Sequence, residues 1–473
     1  MEFGAISRLI VVSNRVNPPA RPGAASTGGL AMALSAALKE YKGIWFGWSG
    51  QTTEKFSGLL NMQKVGGVTV ATVDLEEHDF QEYYNGYANR TLWPLFHYRI
   101  DLTAYDRAYG EGYARVNTRF AETLSPLIDP DDLVWVHDYH LIPLGRELRK
   151  RKIRNPIGFF LHIPWPAHQL VATLPNHRAL VESLFDYDLI GFHTEEWLDA
   201  FRDYVVKEAG GREEPDGRFT AFGKTVRAIA APIGIDAKDF AAAGSSPTAR
   251  RTYEKMCTSA VGRAMIVGVD RLDYSKGLED RFLAYERFLA DNPDRRTGVF
   301  LLQITPSSRA EIEDYQEIRT VLESHTGRIN GAYADVDWTP IRYVNRNYRR
   351  DELAGIYRAA KIGLVTPLRD GMNLVAKEYV AAQNPEEPGV LILSRFAGAA
   401  LQMKEALIVN PFSIDDVAEA IRRGLTMDKA ERKRRWEALM HGVTTDDVTA
   451  WRDGFVQALQ EIQAARTPAP EPA

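Results

Sequence analysis

Short runs of consecutive apolar, often β-branched residues recur along this chain, and they limit the folds that are open to it. Apolarity without alternation is typical of strands buried on both faces of a parallel sheet. Helical patterns separate the runs, for instance at 278–290 and 350–360. Alternation of strand and helix predicts an α/β fold with helices on both faces of each sheet. The runs are LIVV, DLVWV, IGFFL, DLIGF, AMIVGV, VFLLQI, IGLV and VLIL.

The length of the chain predicts more than one domain. Its 473 residues, 45% of them hydrophobic, exceed what a single core usually organises. The small and polar stretch AGSSPTAR at 243–250 follows APIGID and separates the two groups of strands. We therefore expect an N-terminal domain over 1–238 and a second over 239–440. The Pro- and Ala-rich residues 467–473 are predicted to be disordered.

Charge and cysteine content exclude several classes of partner. The formal net charge is -5, so no global positive field favours nucleic acid or an anionic membrane. The single cysteine, Cys257, rules out an internal disulfide and fits the reducing cytoplasm, where we expect the protein to reside. No Gly-x-Gly-x-x-Gly follows a predicted strand, so a nicotinamide or flavin site is not expected, and we predict no cofactor.

Polar residues gather where the predicted strands end. In open α/β sheets, ligands bind beyond the carboxyl ends of the strands. The pattern holds for both groups of strands and predicts a cleft between two facing sheets. The residues concerned are Asn14, Arg15, His137, Asp138, His162, Arg271, Lys276, Arg369 and Asp370.

Glu378 lies in a predicted helix at 372–383, on a face that also carries Leu374 and Val375. A carboxylate on an apolar face needs a cation or hydroxyl donors, since burying it unpaired costs several kcal/mol by order of magnitude. The two adjacent hydroxyls of a ribose would supply such donors. A structural salt bridge would satisfy the same need, and spacing alone leaves both open.

The same helix begins at the sequence DGMN, residues 370–373. Free amides and the helix dipole favour an anion there, and Gly371 permits close approach of the backbone. A phosphate or sugar hydroxyls would fit beside Asp370, Met372 and Asn373. A simple aspartate cap with a turn glycine is the alternative.

Two cations, Arg271 and Lys276, follow the run AMIVGV in the sequence RLDYSKG. Cations beside a helix start can clamp a diphosphate leaving group and offset its developing charge. Solvated surface cations are the alternative. The position beyond the end of a buried strand favours the clamp.

A polar loop rich in Pro and Gly follows the first strand, from Asn14 to Gly29. Such a loop stays mobile until a ligand orders it. Arg15 opens the loop and suits a phosphate on a second substrate. A surface loop with an unrelated arginine is the alternative.

Four polar groups, His137, Asp138, His140 and His162, come from the sequences WVHDYHLIPL and FFLHIPWP. A His-x-x-His pair can bind a metal, which leaves that alternative open. No cysteine cluster or second acidic helix supports it, and we predict no metal site.

Taken together, the longer motifs resemble the trehalose-6-phosphate synthase family. They occur in the family's order between residue 8 and about residue 412. The motifs are SNR, GGL, WFGWSG, EYYNGYANRTLWPLFHYR, VHDYHLIPL, FFLHIPWP, RLDYSKGL and VTPLRDGMNLVAKEYVAAQ.

This resemblance implies a fold and an activity. The fold would be GT-B, two Rossmann-like domains facing across a cleft, with a C-terminal helical segment at 441–466 that packs back on the N-terminal domain. The activity would be transfer of glucose from a nucleotide-glucose, UDP-glucose above all, to glucose 6-phosphate with retention at the anomeric carbon. The likeness leaves the base preference between UDP, GDP and ADP open. A homo-oligomer is expected.

The resemblance also implies roles for individual residues on the donor side. Arg271 and Lys276 resemble the diphosphate clamp, Glu378 the ribose ligand and His162 the group near the glucose C6 hydroxyl. The remaining donor contacts implied by the family are Gly29, Asp370, Gly371, Met372, Asn373, Leu374 and Val375.

On the acceptor side the family implies a glucose 6-phosphate site made by Arg15, Tyr84, Trp93, Asp138 and Arg309. The residues expected to act in catalysis are Asp138, His162, Arg271, Lys276 and Asp370. The family's usual account is front-face attack, in which the leaving phosphate takes the acceptor proton. The two cations of the clamp would then serve where other transferases use a metal.

Two other functions compete with this one. A related synthase that uses glycerol phosphate or a pseudo-sugar would share the donor site, but the acceptor set SNR, YYN and LWP favours glucose 6-phosphate. A non-catalytic regulatory subunit is the second alternative. Intact Arg271, Lys276 and Asp370 oppose it.

Overall fold

The chain forms two compact units in a computed structural model that describes residues 8–16, 38, 43–65, 67–307 and 312–466. Unit 1 comprises the chain up to Pro232 together with the segment from Trp451, and unit 2 comprises Ile233–Ala450. The sequence placed the boundary slightly later, between 238 and 239, and ended the second domain at 440. The tail predicted to be disordered, 467–473, lies outside the described residues.

Unit 1 is built on a ten-stranded sheet in the order β3-β4-β2-β1-β5-β6-β7-β10-β9-β8. Its seven central strands run parallel, and antiparallel strands flank them on both sides. The strands are β1 (Leu9–Arg15), β2 (Ile44–Thr53), β3 (Asn61–Val65), β4 (Val68–Glu76), β5 (Leu133–His137), β6 (Ile157–Phe160), β7 (Leu189–Phe192), β8 (Arg212–Glu213), β9 (Arg218–Ala221) and β10 (Lys224–Ala230).

A π-helix at Phe80–Leu92 stands out among the helices of unit 1, because helices of this type are rare and usually a single turn long. Short 3₁₀ turns occur at Ile100–Leu102, Ser125–Leu127 and Tyr139–Leu141. The α-helices with described bounds are α1 (Glu77–Asp79), α2 (Trp93–Phe96), α3 (Arg107–Leu124), α4 (Leu144–Lys150), α5 (His168–Val171), α6 (His177–Leu184) and α7 (Glu195–Lys207).

Unit 2 contains an all-parallel sheet of six strands in the order β13-β12-β11-β14-β15-β16. This is the strand order of a dinucleotide-binding Rossmann sheet. The strands are β11 (Ala264–Val269), β12 (Val299–Ile304), β13 (Ile341–Val344), β14 (Ile362–Val365), β15 (Val390–Ser394) and β16 (Leu407–Val409).

The helices of unit 2 cover both faces of its sheet, as apolar strands of this kind require. Short 3₁₀ turns lie at Tyr274–Lys276, Arg296–Gly298 and Gly398–Leu401. The α-helices are α8 (Ala237–Gly244), α9 (Pro247–Ala260), α10 (Leu278–Asp291), α11 (Glu313–Tyr333), α12 (Arg350–Ala359), α13 (Leu374–Ala382), α14 (Ile414–Thr426) and α15 (Lys429–Thr445).

The last helix, α16 (Val448–Arg466), starts in unit 2 and completes the core of unit 1. Its Phe455 stacks on Trp135 with ring centroids 4.7 Å apart. Two glycines of the sheet make room for that ring, since a Cβ at Gly158 or Gly191 would lie 2.7 or 2.8 Å from Phe455. The chain therefore returns to unit 1.

The predicted α/β class is confirmed, and each of the apolar runs forms one of the buried central strands. The three predicted helices are also present, at Leu278–Asp291, Arg350–Ala359 and Leu374–Ala382. None of the described helices is long and apolar enough to cross a bilayer.

Candidate active site

The predicted donor residues of unit 2 lie where the strand order of its sheet reverses. Strands β11 and β14 are neighbours, and the chain leaves them toward opposite sides of the sheet. Ligands bind at such a switch point in open α/β sheets. The loop after β11 carries Arg271 and Lys276, and the loop after β14 carries Arg369 and Asp370.

These two loops are joined by a direct ion pair. Nζ of Lys276 lies 2.5 Å from Oδ2 of Asp370, and both side chains are largely buried. Asn373 donates to the same carboxylate oxygen over 3.1 Å. The Lys276 ammonium has three hydrogens, so the pair leaves two for oxygens of a ligand.

Backbone contacts hold the two loops close together. Leu368 N donates to Ser275 O over 2.8 Å. Gly277 has φ +60 at the start of α10, and a Cβ there would lie 2.4 Å from the carbonyl oxygen of Thr366. A glycine is thus needed at the end of RLDYSKG for steric and conformational reasons.

Arg281 hydrogen-bonds to residues at the base of both loops and was not predicted from the sequence. Its side chain is fully buried and donates to Asp270 over 2.5 Å, to Gln303 over 2.9 Å and to Thr366 over 2.9 Å. It also reaches the carbonyl of Lys276 at 3.4 Å. Desolvation raises the pKa of the Asp270 carboxyl, although the Arg281 charge opposes that shift. An arginine on the apolar face of a helical pattern was the available signal.

Asn373 caps the helix that carries the remaining donor residues. It adopts φ 76, a conformation that costs energy for a residue other than glycine, and its Oδ1 accepts from Ala376 N. Leu374 and Val375 are the first residues of α13, so their amides have no acceptor four residues earlier. Met372 is buried, and its carbonyl accepts from Ala399 N over 2.8 Å.

The next turn of α13 carries two adjacent ionisable groups with altered pKa values. Desolvation raises the pKa of Glu378 to about 7, although the charge of Arg350 opposes the shift. Desolvation lowers the pKa of the buried Lys377 to about 8. Lys377 donates to Ile233 O and to Gln402 Oε1, each over 2.8 Å. Glu378 as a whole residue is half-buried.

In unit 1 the strand order reverses between β1 and β5, and Arg15 and Asp138 stand at the ends of those strands. Asp138 has φ 76, and its Oδ1 accepts from Tyr139 N over 3.0 Å and from His162 N over 3.2 Å. The carboxylate therefore ties the loop after β5 to the loop after β6.

The π-helix places Tyr84 and Trp93 beside the same segment of chain. Hydrogen bonds from residue i to i+5 widen the helical turn beyond four residues, so positions nine apart fall near one face, whereas an α-helix would place them on opposite faces. Tyr84 stacks on His140 with centroids 5.9 Å apart, and Trp93 contacts Tyr139 at 5.6 Å. Both rings thus flank the residues that follow Asp138.

The Trp48 ring lies close to both Arg15 and Tyr84. Its guanidinium lies 5.7 Å from the centroid of the Trp48 ring, which is 5.6 Å from that of Tyr84. Gly50, at φ +90, leaves space for Arg15, because a Cβ there would lie 2.6 Å from Nε and from one terminal nitrogen. The sequence did not single out Trp48, which lies in a strand of mixed polarity.

The histidines that the sequence singled out are not among the described residues that cluster as three candidate metal ligands. Among the described residues, Glu76, His78 and Asp79 are the group of three candidate ligands within 4.8 Å of one another. The carboxylates of this group pair with Arg115 and Arg119. Two predicted ligand residues, Gly29 and Arg309, and the loop beyond Val16 lie outside the described residues.

Comparison with known proteins gives a family and several relatives. The family model described as Glycosyltransferase family 20 matches residues 8–461. A trehalose-6-phosphate synthase of Sinorhizobium fredii is 48% identical over 457 residues, covering 96% of this chain and 98% of the relative.

Solved structures resemble the chain over nearly its whole length. A UDP-forming α,α-trehalose-phosphate synthase from Burkholderia xenovorans, in complex with glucose 6-phosphate, is 50% identical with a TM-score of 0.92 and covers 96% of this chain and 100% of its own. An Escherichia coli structure with UDP-2-fluoro glucose bound is 46% identical, with a TM-score of 0.92 and coverage of 96% and 99%.

Proposed function

The chain belongs to glycosyltransferase family 20, and on that premise we propose that it transfers glucose from UDP-glucose to glucose 6-phosphate. The products are α,α-trehalose 6-phosphate and UDP, and the configuration of the anomeric carbon is retained. The observation that carries this function is the 50% identity to a UDP-forming synthase whose structure holds glucose 6-phosphate. The GT-B fold of the relatives agrees with the two α/β units.

We propose that unit 2 binds the donor. The Glu378 carboxylate would accept hydrogen bonds from the ribose hydroxyls, and the first amides of α13, at Leu374 and Val375, would meet the diphosphate. Arg271 and the two uncommitted hydrogens of Lys276 would neutralise the charge that develops on UDP as it leaves. Asp370, Gly371, Met372 and Asn373 would contact the glucose.

Unit 1 would bind the acceptor. Arg15 is exposed and stands at the end of a strand, where the donors of its guanidinium suit the phosphate of glucose 6-phosphate. Tyr84 and Trp93 would form a wall for the sugar ring, and Asp138 would accept from its hydroxyls. Arg309 would add a second cation to the phosphate site.

The proposed chemistry needs no enzyme nucleophile. The bond between the anomeric carbon and the diphosphate oxygen breaks, and a bond to the acceptor hydroxyl oxygen forms on the same face. The proton of that hydroxyl passes to the leaving phosphate oxygen. The protein would contribute position and stabilisation of the leaving group, with His162 near the C6 hydroxyl of the transferred glucose.

The decisive experiment incubates the protein with UDP-, GDP- or ADP-glucose, with and without glucose 6-phosphate, and measures nucleotide release and the phosphorylated disaccharide. We expect UDP release that depends on the acceptor, with one phosphodisaccharide formed per UDP. Release that is independent of glucose 6-phosphate, or no release from any donor, would overturn the proposed function. Glycerol 3-phosphate serves as the acceptor that tests the rival synthase.

A cytoplasmic location and a homo-oligomeric state are also proposed. The single cysteine supports the first. Light scattering coupled to size exclusion tests the second, and a mass near 53.1 kDa would contradict it.

A further inference from the structure

Three histidines of unit 1 lie at the ends of three neighbouring strands or just beyond them. His137 ends β5, His162 comes two residues after β6 and His193 directly follows β7. Nδ1 of His137 lies 3.0 Å from Nε2 of His162, which is hydrogen-bonding distance. One of the two rings must donate and the other must accept, so the pair fixes which nitrogen of each ring carries a proton.

The surroundings of His137 determine the direction of this bond. Its Nε2 is buried and has no hydrogen-bond partner among the described residues. The rings packed nearby belong to Trp135, with centroids 4.6 Å apart, and Trp451, 6.3 Å apart. Indoles have only a donor, so neither could accept from an Nε2–H. Because orphaned buried N–H groups are rare, the lone pair belongs on Nε2 and the proton on Nδ1.

It follows that His137 is the donor and that Nε2 of His162 is the acceptor. A neutral histidine carries one ring proton, so that of His162 must then sit on Nδ1. Burial lowers the pKa of both histidines well below the ordinary value, and each also feels a neighbouring histidine, which keeps both rings neutral near pH 7.

We propose that His137 is a positioning residue that fixes His162 as the Nδ1–H tautomer, so that His162 offers a ligand a hydrogen-bond donor. The tautomer itself requires no ligand. Its importance for glucosyl transfer rests on the proposed function, in which Nδ1–H would donate to a sugar hydroxyl oxygen.

The groups that face His162 are consistent with this assignment. His193 lies 5.2 Å away between ring centroids, Phe160 lies 4.9 Å away and Trp451 lies 6.0 Å away. Asp138 accepts from the backbone amide of His162 through its Oδ1. His137 is the residue that holds a ring nitrogen of His162 in a hydrogen bond.

The direct test is nitrogen NMR of wild-type protein labelled with ¹⁵N-histidine, without ligand. The chain has ten histidines, and the resonances of His162 are assigned by their loss in His162→Gln. We expect His162 to show a protonated Nδ1 and an unprotonated Nε2, and His137 to show the same tautomer. A protonated Nε2 on His162 would overturn the proposal whatever the enzyme's activity.

Two variants of His137 separate positioning from packing. Asn places an amide N–H close to the position of Nδ1, whereas Gln extends its amide toward the position of Nε2. We expect His137→Gln to lower kcat by about tenfold or more, the range of other residues that orient a functional histidine. His137→Asn should recover at least part of that loss and retain the Nδ1–H signal of His162.

His177→Gln is the matched control, because His177 bonds Tyr204 elsewhere in unit 1 and should leave kcat unchanged. Equal losses in His137→Asn and His137→Gln, with both variants folded by circular dichroism, would contradict a role in orienting His162. If wild-type protein shows the expected tautomer but forms no phosphodisaccharide, the proposed function fails while the tautomer assignment stands.

Discussion

Lys276 and Asp370, separated by 94 positions in the sequence, meet at 2.5 Å between Nζ and Oδ2. The pair joins the loops after β11 and β14 at the point where the sheet of unit 2 reverses its order. A cation that would bind a departing diphosphate is thereby fixed in place before any ligand arrives. Such preorganisation is what gives a positioned charge its effect on a transition state.

We predict that Lys276→Ala lowers kcat by roughly two to three orders of magnitude at saturating substrates, because a preorganised donor to the leaving group is lost. Steady-state release of UDP measures the effect. The control is Lys255→Ala, which removes an exposed lysine of the same unit. An unchanged kcat in Lys276→Ala would refute the role of Lys276 in leaving-group stabilisation.

UDP affinity should depend on pH through Glu378. Burial raises the pKa of this carboxyl to about 7, so lowering the pH below 7 protonates it and removes the acceptor for ribose hydroxyls. The charged fraction falls about tenfold in total between about pH 8 and about pH 6, and the Kd for UDP should rise by up to that factor over the same interval.

Calorimetric titration of wild type and Glu378→Gln at each pH measures this effect. The diphosphate titrates in the same range, but its contribution is common to both proteins and cancels in the ratio of their Kd values. A ratio that does not change with pH would contradict the ribose assignment.

The raised pKa of Glu378 also affects stability. The folded state binds the proton of this carboxyl more tightly than the unfolded state, so the free energy of unfolding should fall as pH rises from about 4.5 toward 7.

Arg15→Ala should raise the KM for glucose 6-phosphate by about 10- to 100-fold, the range expected for a hydrogen bond to a charged group. The KM for UDP-glucose should change far less. More donor should be lost to hydrolysis, measured as free glucose beside the phosphodisaccharide, because water competes when the acceptor is poorly held. Arg15→Lys should be intermediate. An unaltered dependence on glucose 6-phosphate would exclude Arg15 from the acceptor site.

Gly50→Ala tests the placement of Arg15 without removing it. The added Cβ would lie 2.6 Å from the guanidinium, so the side chain must move, and the KM for glucose 6-phosphate should rise. Gly67→Ala is a close control, because Gly67 has φ +89, nearly the φ +90 of Gly50, but no atom within 4 Å of an added Cβ. If both substitutions raised the KM for glucose 6-phosphate equally, backbone strain alone would explain the increase and the displacement of Arg15 would not.

Arg281→Met should lower the free energy of unfolding by about 3–5 kcal/mol, because it leaves the buried Asp270 without its cation. Urea denaturation measures the loss. The double variant Asp270→Asn/Arg281→Met removes the isolated charge and should recover part of the stability. A single-variant loss below about 1 kcal/mol would show that the pair does not hold the loops.

The central strands could be predicted from the sequence because burial on both faces demands unbroken apolar runs. Two other strands could not be predicted, since β3 is almost entirely exposed and β2, although it lies inside the sheet, mixes apolar with polar residues. The π-helix was also beyond prediction. Its hydrogen bonds join residues five apart, whereas those of an α-helix join residues four apart. Helix propensities and the 3.6-residue periodicity do not distinguish the two.

For the candidate site, the sequence singled out individual residues but not the partners that hold them. Position beyond a strand end was enough to single out Arg15, Asp138, Arg271 and Asp370. The partners that hold such residues are set by tertiary contacts between distant segments, as when His162 N donates to Asp138. Local sequence patterns do not predict such tertiary contacts.

Unit 1 depends on residues that the ribosome adds only after all of unit 2. Unit 2 is one uninterrupted stretch, so its segments have all emerged before Trp451 and Phe455 reach the aromatic cluster around Trp135. Domains generally fold as units in the order in which they are made, but here the first unit to begin is the last to be completed. A nascent chain halted before residue 451 would hold one finished unit and one whose aromatic core lies open to chaperones.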